Sequence, residues 1–153
     1  MIVLFANAQV NRLSEQIGSV KKITAYTKNN RICYAYELTN AFAEISFINA
    51  TTVRVRVTKE KPTSDFSFAI ENPETFNNFN VAEDNIGETG AKNIYTTASL
   101  KVEITNNPFR VNIFTIDGKL LCGDDSNLGI SWFGNQVSCY KKLHSDEKFI
   151  GLG

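Results

Sequence analysis

The strongest constraint on the fold is a period of two. From Thr52 to Thr58 the chain reads Val53-Arg54-Val55-Arg56-Val57 between threonines. This puts valines on one face of an extended segment and arginines on the other, as in a sheet with one dry and one wet side. No window sustains an apolar stripe at helical spacing for three turns. Instead, short β-prone runs alternate with turn signals. Val20 to Thr27 and Arg31 to Leu38 flank a hairpin loop at Lys28-Asn29-Asn30. Ala43 to Ile48, Ile94 to Thr97, Leu100 to Thr105 and Phe109 to Ile116 read as further strands. Asp117-Gly118 is a tight hairpin signal, and Lys119 to Cys122, Ile130 to Phe133, Gln136 to Leu143 and Phe149 to Ile150 follow. Residues 62–90 are less regular and read as loops with one or two short strands. The expectation is an all-β antiparallel sandwich.

Composition narrows function by exclusion. In 153 residues there are 16 basic and 16 acidic side chains, so no electrostatic footprint for nucleic acid or an anionic membrane is present. No apolar run approaches the ~20 residues that a membrane-spanning helix needs. A single His excludes catalysis by two histidines and any multi-His metal site. The three cysteines, Cys33, Cys122 and Cys139, have no metal-ligand spacing and read as small hydrophobes. A Cys139–His144 nucleophilic pair is disfavoured, since five positions apart, on a strand followed by a turn, the two side chains have no reason to meet. No cofactor is expected. Seventeen Asn point to turns and polar loops.

Individual motifs have ordinary readings. Asp124-Asp125-Ser126-Asn127-Leu128-Gly129 lacks the ligand alternation and closing Glu of a calcium loop and reads as an Asx-rich turn. Asn49-Ala50-Thr51 matches a glycosylation sequon, a short pattern of low specificity. Asp65, Glu71, Glu74, Glu83, Asp84 and Glu88 offer carboxylates, but their spacing sets no two of them across a sugar. Trp132, the only Trp, is a candidate sugar-stacking platform, although a lone Trp in a β-domain more often packs in the core.

The second half carries a more specific order. Ile94-Tyr95-Thr96-Thr97 precedes Leu100-Lys101-Val102-Glu103-Ile104 and Asn107-Pro108-Phe109-Arg110-Val111-Asn112-Ile113. Then come Asp117-Gly118-Lys119-Leu120-Leu121, Trp132-Phe133-Gly134, Tyr140-Lys141-Lys142-Leu143 and Glu147-Lys148-Phe149-Ile150-Gly151-Leu152-Gly153. This order resembles the N-terminal β-sandwich domain of glycoside hydrolase family 31, the α-glucosidases and α-xylosidases. Val53 to Val57 resembles another strand of that domain. Ile150 stands where the family usually has Tyr, and the family's closing Glu would follow Gly153.

The resemblance implies a galactose-mutarotase-like sandwich that is non-catalytic in itself. In the family, two carboxylates on a (β/α)8 barrel hydrolyse α-glycosidic bonds with retention. The nucleophilic Asp lies in a motif beginning with Trp, and Trp132-Phe133-Gly134-Asn135 does not match it. No catalytic residue carries over. The implied partners are a barrel of the same protein and, in the whole enzyme, an α-linked oligosaccharide. Trp132, Tyr140 and Phe149 are the candidates for a sugar or interdomain contact.

Two alternatives stand beside this reading: a carbohydrate-binding module in its own right and, less compatible with one His, an aldose-epimerase-like enzyme. Residues 1–8, ending in Ala6-Asn7-Ala8, read as the remnant of a signal peptide, as an added tail or as a short first strand. The first option implies a periplasmic or secreted protein, the others a cytoplasmic one. Residues 9–153 are expected to form the sandwich, ending before the barrel.

Overall fold

The computed structural model describes residues 14–29, 31–62, 79–84 and 91–143. The described residues are built from strands and turns in three antiparallel sheets. The first large sheet is a meander of four: β2 (Val20–Lys28), β3 (Arg31–Leu38), β4 (Phe42–Asn49) and β5 (Thr52–Thr58). The second is a meander of five: β6 (Ala82–Asp84), β7 (Lys92–Thr96), β8 (Leu100–Asn106), β9 (Phe109–Thr115) and β10 (Leu120–Gly123). A small third sheet has the order β1 (Glu15–Gln16), β11 (Ile130–Phe133), β12 (Gln136–Cys139). Sequential strands pair as neighbours in both meanders, because short turns allow only that connection.

Alternation sets the inner faces. Along β3 and β4, Tyr34, Tyr36, Ala43, Ile45 and Phe47 point inward, with Val53, Val55 and Val57 of β5 packed beside them. Val102, Ile104, Phe109 and Val111 answer from β8 and β9, all four buried. Ring contacts bridge the layers. Tyr34 stacks at a tilt on Tyr95, centroids 4.1 Å apart, and Tyr36 meets Phe109 edge-on at 5.4 Å. Burial of this many aromatic rings is the principal source of cohesion between the sheets.

The turns follow their residues. Asn29 adopts φ 51°, as the hairpin between β2 and β3 requires of an Asx-type residue. Gly118 sits at φ 93° and donates its N–H to the Thr115 carbonyl at 3.0 Å, closing the β9–β10 hairpin. Asn107-Pro108 is a cis turn between β8 and β9.

The third sheet covers one end of the sandwich. Ile17, wholly buried, donates to the Ile130 carbonyl, and the Gly18 carbonyl accepts from Phe109 N–H at 2.9 Å. Beyond Cys139 the chain leaves β11 and moves beside β10: Asp125 N–H donates to the Tyr140 carbonyl, and Lys142 N–H to that of Gly123. The expected strand Gln136 to Leu143 is therefore split between two neighbours, with an isolated bridge at Asp124–Lys141. Among the described residues no helix is long and apolar enough to cross a membrane.

Candidate functional site

The carboxylates of the sequence reading do not assemble into an acid/base pair. Of the six, only Glu83 and Asp84 are among the described residues, adjacent on β6. Neighbouring strand residues project to opposite faces, so these two cannot flank one sugar. Glu83, itself exposed, accepts a hydrogen bond from the Tyr34 hydroxyl. Tyr36 and Tyr95 share a second hydrogen bond across the layers. Burial pushes all three phenols up, Tyr95 to about 12, with the Glu83 charge adding to the effect and the Tyr36 bond partly offsetting it at Tyr95. These groups stay protonated near neutral pH and act as hydrogen-bonding cross-links rather than as bases.

The Asx-rich segment is a structural latch. Asp125 Oδ1 accepts from Asn127 N–H at 2.9 Å and Leu128 N–H at 2.8 Å, and these bonds hold its carboxyl below the usual range. No group of three or more His, Cys, Asp or Glu among the described residues is placed to hold a metal. Arg110, only 6% exposed, threads the loop, its Nε donating to the Asp125 carbonyl at 2.9 Å and its Nη2 to that of Asn127 at 3.3 Å. Gly129, at φ 54°, gives the guanidinium room, since a Cβ there would lie 2.3 Å from Arg110 Cζ.

Asp124 is the residue that sequence reasoning missed. Its Oδ2 accepts from Val111 N–H at 2.8 Å and its Oδ1 from Lys141 Nζ at 2.5 Å, with the carboxylate side chain 1% exposed. At Lys141, burial disfavours the charge, but the bond and charge of Asp124 outweigh it and raise the ammonium above its usual range. Seventeen residues of sequence separate the partners, and no local pattern signals such a pair.

The candidate contact residues have different settings. Trp132 is 9% exposed and belongs to the core cluster, which leaves little of its ring for a ligand. Tyr140 is exposed just past β12. Phe149 lies outside the described residues, as do His144 and residues 1–8. Phe133, Val137 and Leu143 are exposed as well, Phe133 on the opposite face of the small sheet from Val137 because it neighbours Trp132 on β11. Val137 pairs with Trp132 and Cys139 with Ile130, so both share the face that elsewhere covers the core. On that face of β12 Val137 is nonetheless 63% exposed. The arginines of β5 are half-buried rather than solvated.

Comparison with known proteins fits this architecture. A GH31 dextranase of Flavobacterium johnsoniae, solved with glucose, superposes with a TM-score of 0.75 at 19% identity, covering 91% of this chain and 17% of the dextranase chain. The cycloalternan-forming enzyme of Listeria monocytogenes, solved with a pentasaccharide substrate, gives 0.52 at 19% identity, covering 78% of this chain and 10% of that one. At such identity the likeness concerns the fold, and the chain spans about a sixth of the dextranase's length. No curated protein matches the sequence. The family model described as the glycosyl hydrolase 31 N-terminal galactose mutarotase-like domain matches residues 43–153, well over half the chain. The chain therefore belongs to the N-terminal galactose mutarotase-like domain family of the glycosyl hydrolase 31 enzymes.

Proposed function

We propose that this sandwich serves a retaining α-glycosidase as a non-catalytic accessory domain, packing on the catalytic barrel and shaping access to its active site. The carrying observation is the exposed apolar side chain on the core-directed face of β12. Val137 lies opposite the core residue Trp132 and yet is exposed, and Tyr140 and Leu143 farther along the chain are exposed too. Two charges follow Tyr140: Lys141, which is already matched by Asp124, and the exposed Lys142 beside it. A partner can thus cover Val137 and Lys141 without stranding an unpaired ion, the costly part of burying charge, provided that Lys142 stays at the solvated rim. The substrate of the whole enzyme is an α-linked oligosaccharide in this reading, supported by the family and by the oligosaccharide in one structural neighbour.

Two measurements test it. The coding sequence beyond Gly153 should encode a barrel carrying the family's nucleophile motif, and that barrel should bind this chain. Purified chain alone should not turn over an aryl α-glucoside. Measurable turnover, or a downstream sequence with no barrel, would overturn the proposal.

A further inference from the structure

The outer face of the four-stranded sheet is not flat. One row across it reads Thr24, Ala35, Glu44 and Arg56 from β2 to β5. The short side chain of Ala35 leaves a depression of about 350 Å³ there, within the size range of small-molecule sites. Two rings flank the row. Tyr26 lies in the next row on one side, paired with Cys33, and Phe42 in the next row on the other, paired with Glu37. Both line the depression.

The polar part of the floor is fixed. Tyr26 donates its hydroxyl to Glu44 Oε2, and Ser46 Oγ donates to Glu44 Oε1 at 3.1 Å. A carboxylate has about four lone-pair sites, so one stays open on each oxygen. The exposed Thr24 hydroxyl stands at the far end of the same row. Acceptors held in place by their neighbours are what a recognition site needs.

Charge decides the class of ligand. Lys28 and Arg56, at the rim, have partners of their own. Lys22 and Lys61 are balanced by Glu37 and Glu44, with Lys22 opposite Glu37 in the register. The rest of the described lining is therefore neutral, and its net field favours neither an anion nor a cation. What the depression offers is hydrogen-bond acceptors between two aromatic rings. An uncharged ring rich in hydroxyl donors, with C–H faces to lay on the aromatics, meets both.

We propose that this depression is a binding site for a neutral sugar. The pyranose lies over Ala35 between Tyr26 and Phe42, and two of its hydroxyls donate to the open sites of Glu44. The site is on a different sheet from Val137 and goes beyond the accessory role, so either can fail without the other.

The test is an NMR titration of the isotope-labelled chain with glucose and with isomaltotriose, and with sorbitol as an open-chain reference. Saturable shifts are expected at the amides of Thr24, Ala35 and Glu44, half-complete below ~30 mM glucose, with sorbitol at least ~10-fold weaker. Tighter binding of isomaltotriose identifies a segment of an oligosaccharide as the occupant, and equal binding identifies a single free sugar. Ala35→Leu, which fills the depression, should abolish the shifts with Tm unchanged. Should that variant misfold, Glu44→Gln decides, since it exchanges one acceptor oxygen for a donor and should weaken binding at least ~10-fold. Undiminished binding in whichever variant folds overturns the proposal. Three other results overturn it as well: no half-saturation by ~30 mM of either sugar, sorbitol binding as well as glucose, or shifts confined to the surroundings of Trp132 and Tyr140.

Discussion

The seam between the two large sheets and the end formed by β11 and β12 use the same kinds of side chain with opposite outcomes. Phe109, Val102 and Tyr95 are wholly buried, whereas Phe133 is 45%, Val137 63% and Tyr140 46% exposed. Both regions have strand alternation, but at the end only Val137 of these three shares the core-directed face, opposite Trp132, and Phe133 projects the other way. The difference is what stands opposite. Phe109 meets the Tyr36 ring at 5.4 Å, while Val137 stays 63% exposed. Burial in a sheet protein is thus a property of the pairing of faces, and a strand with no second layer keeps its apolar pattern as an invitation to a partner.

The sharpest way to break this contrast is a matched truncation. Phe109→Ala should cost about 4 kcal/mol, because it opens a cavity among Tyr36 and its neighbours. Phe133→Ala should cost less than about 1 kcal/mol, since its ring is half in water already. Urea denaturation of both variants checks the pair, and equal losses would erase the distinction between seam and end.

Asp124 joins the two regions, so its removal should come next in size. Asp124→Ala leaves the Val111 N–H without its side-chain acceptor and Lys141 without its counter-ion, at a cost of about 3 kcal/mol. The half-exposed lysine can recover water, which keeps the effect below that of Phe109→Ala. A loss under about 1 kcal/mol would mean that the bridge between β10 and the residues after β12 is peripheral.

Inside the seam, the phenols give a smaller and pH-dependent signal. Tyr36→Phe should cost about 1–2 kcal/mol, because the Tyr95 hydroxyl stays buried after losing its partner. Adding Tyr95→Phe should recover part of that loss. The buried phenols also ionise above their ordinary value of 10.0, Tyr95 at about 12. The native state therefore holds protons that the unfolded chain releases. The stabilisation is complete below pH 10 and is lost as pH rises through the window toward 12. Phenolate absorbance followed against stability should show Tyr34, Tyr36 and Tyr95 ionising only as the protein unfolds. Their free titration near pH 10 in a folded protein would show the seam to be wet.

Much of this was legible in the sequence. Arg31–Leu38, Thr52–Thr58 and Ile130–Phe133 coincide with their expected bounds, because alternation and turn residues both mark them. β1 was not foreseen, since Glu15–Gln16 has no apolar signal and exists only because β11 offers an edge. The break after Cys139 was equally hidden: the pattern runs on to Leu143, but the neighbouring strand changes. The Asx turn at Asp125 is local and was readable. The Asp124–Lys141 pair, the meeting of Tyr36 with Tyr95 and the depression over Ala35 depend on contacts between distant segments, which a single sequence does not encode locally. Tyr140 could be singled out from its place in the family order, but Val137 needed the register to Trp132.

The smallest expected effect on stability is also the one that discriminates best for function. Val137→Lys places a charge on the exposed face of β12, where the side chain is 63% accessible. It should change the unfolding free energy by no more than about 0.5 kcal/mol, because nothing packed is lost and the ammonium stays in water. If the strip docks a barrel, the same variant should weaken that association at least ~10-fold, since a bare lysine would have to be buried without a partner. Lys141 differs in this respect, as its charge is already satisfied by Asp124. Lys141→Met, the reverse change, should therefore leave docking intact while destabilising the chain, because Asp124 is then the buried ion without a mate. Unaltered docking in Val137→Lys, measured by calorimetry against the separately produced barrel, would separate the apolar strip from the interface and return it to an ordinary exposed edge.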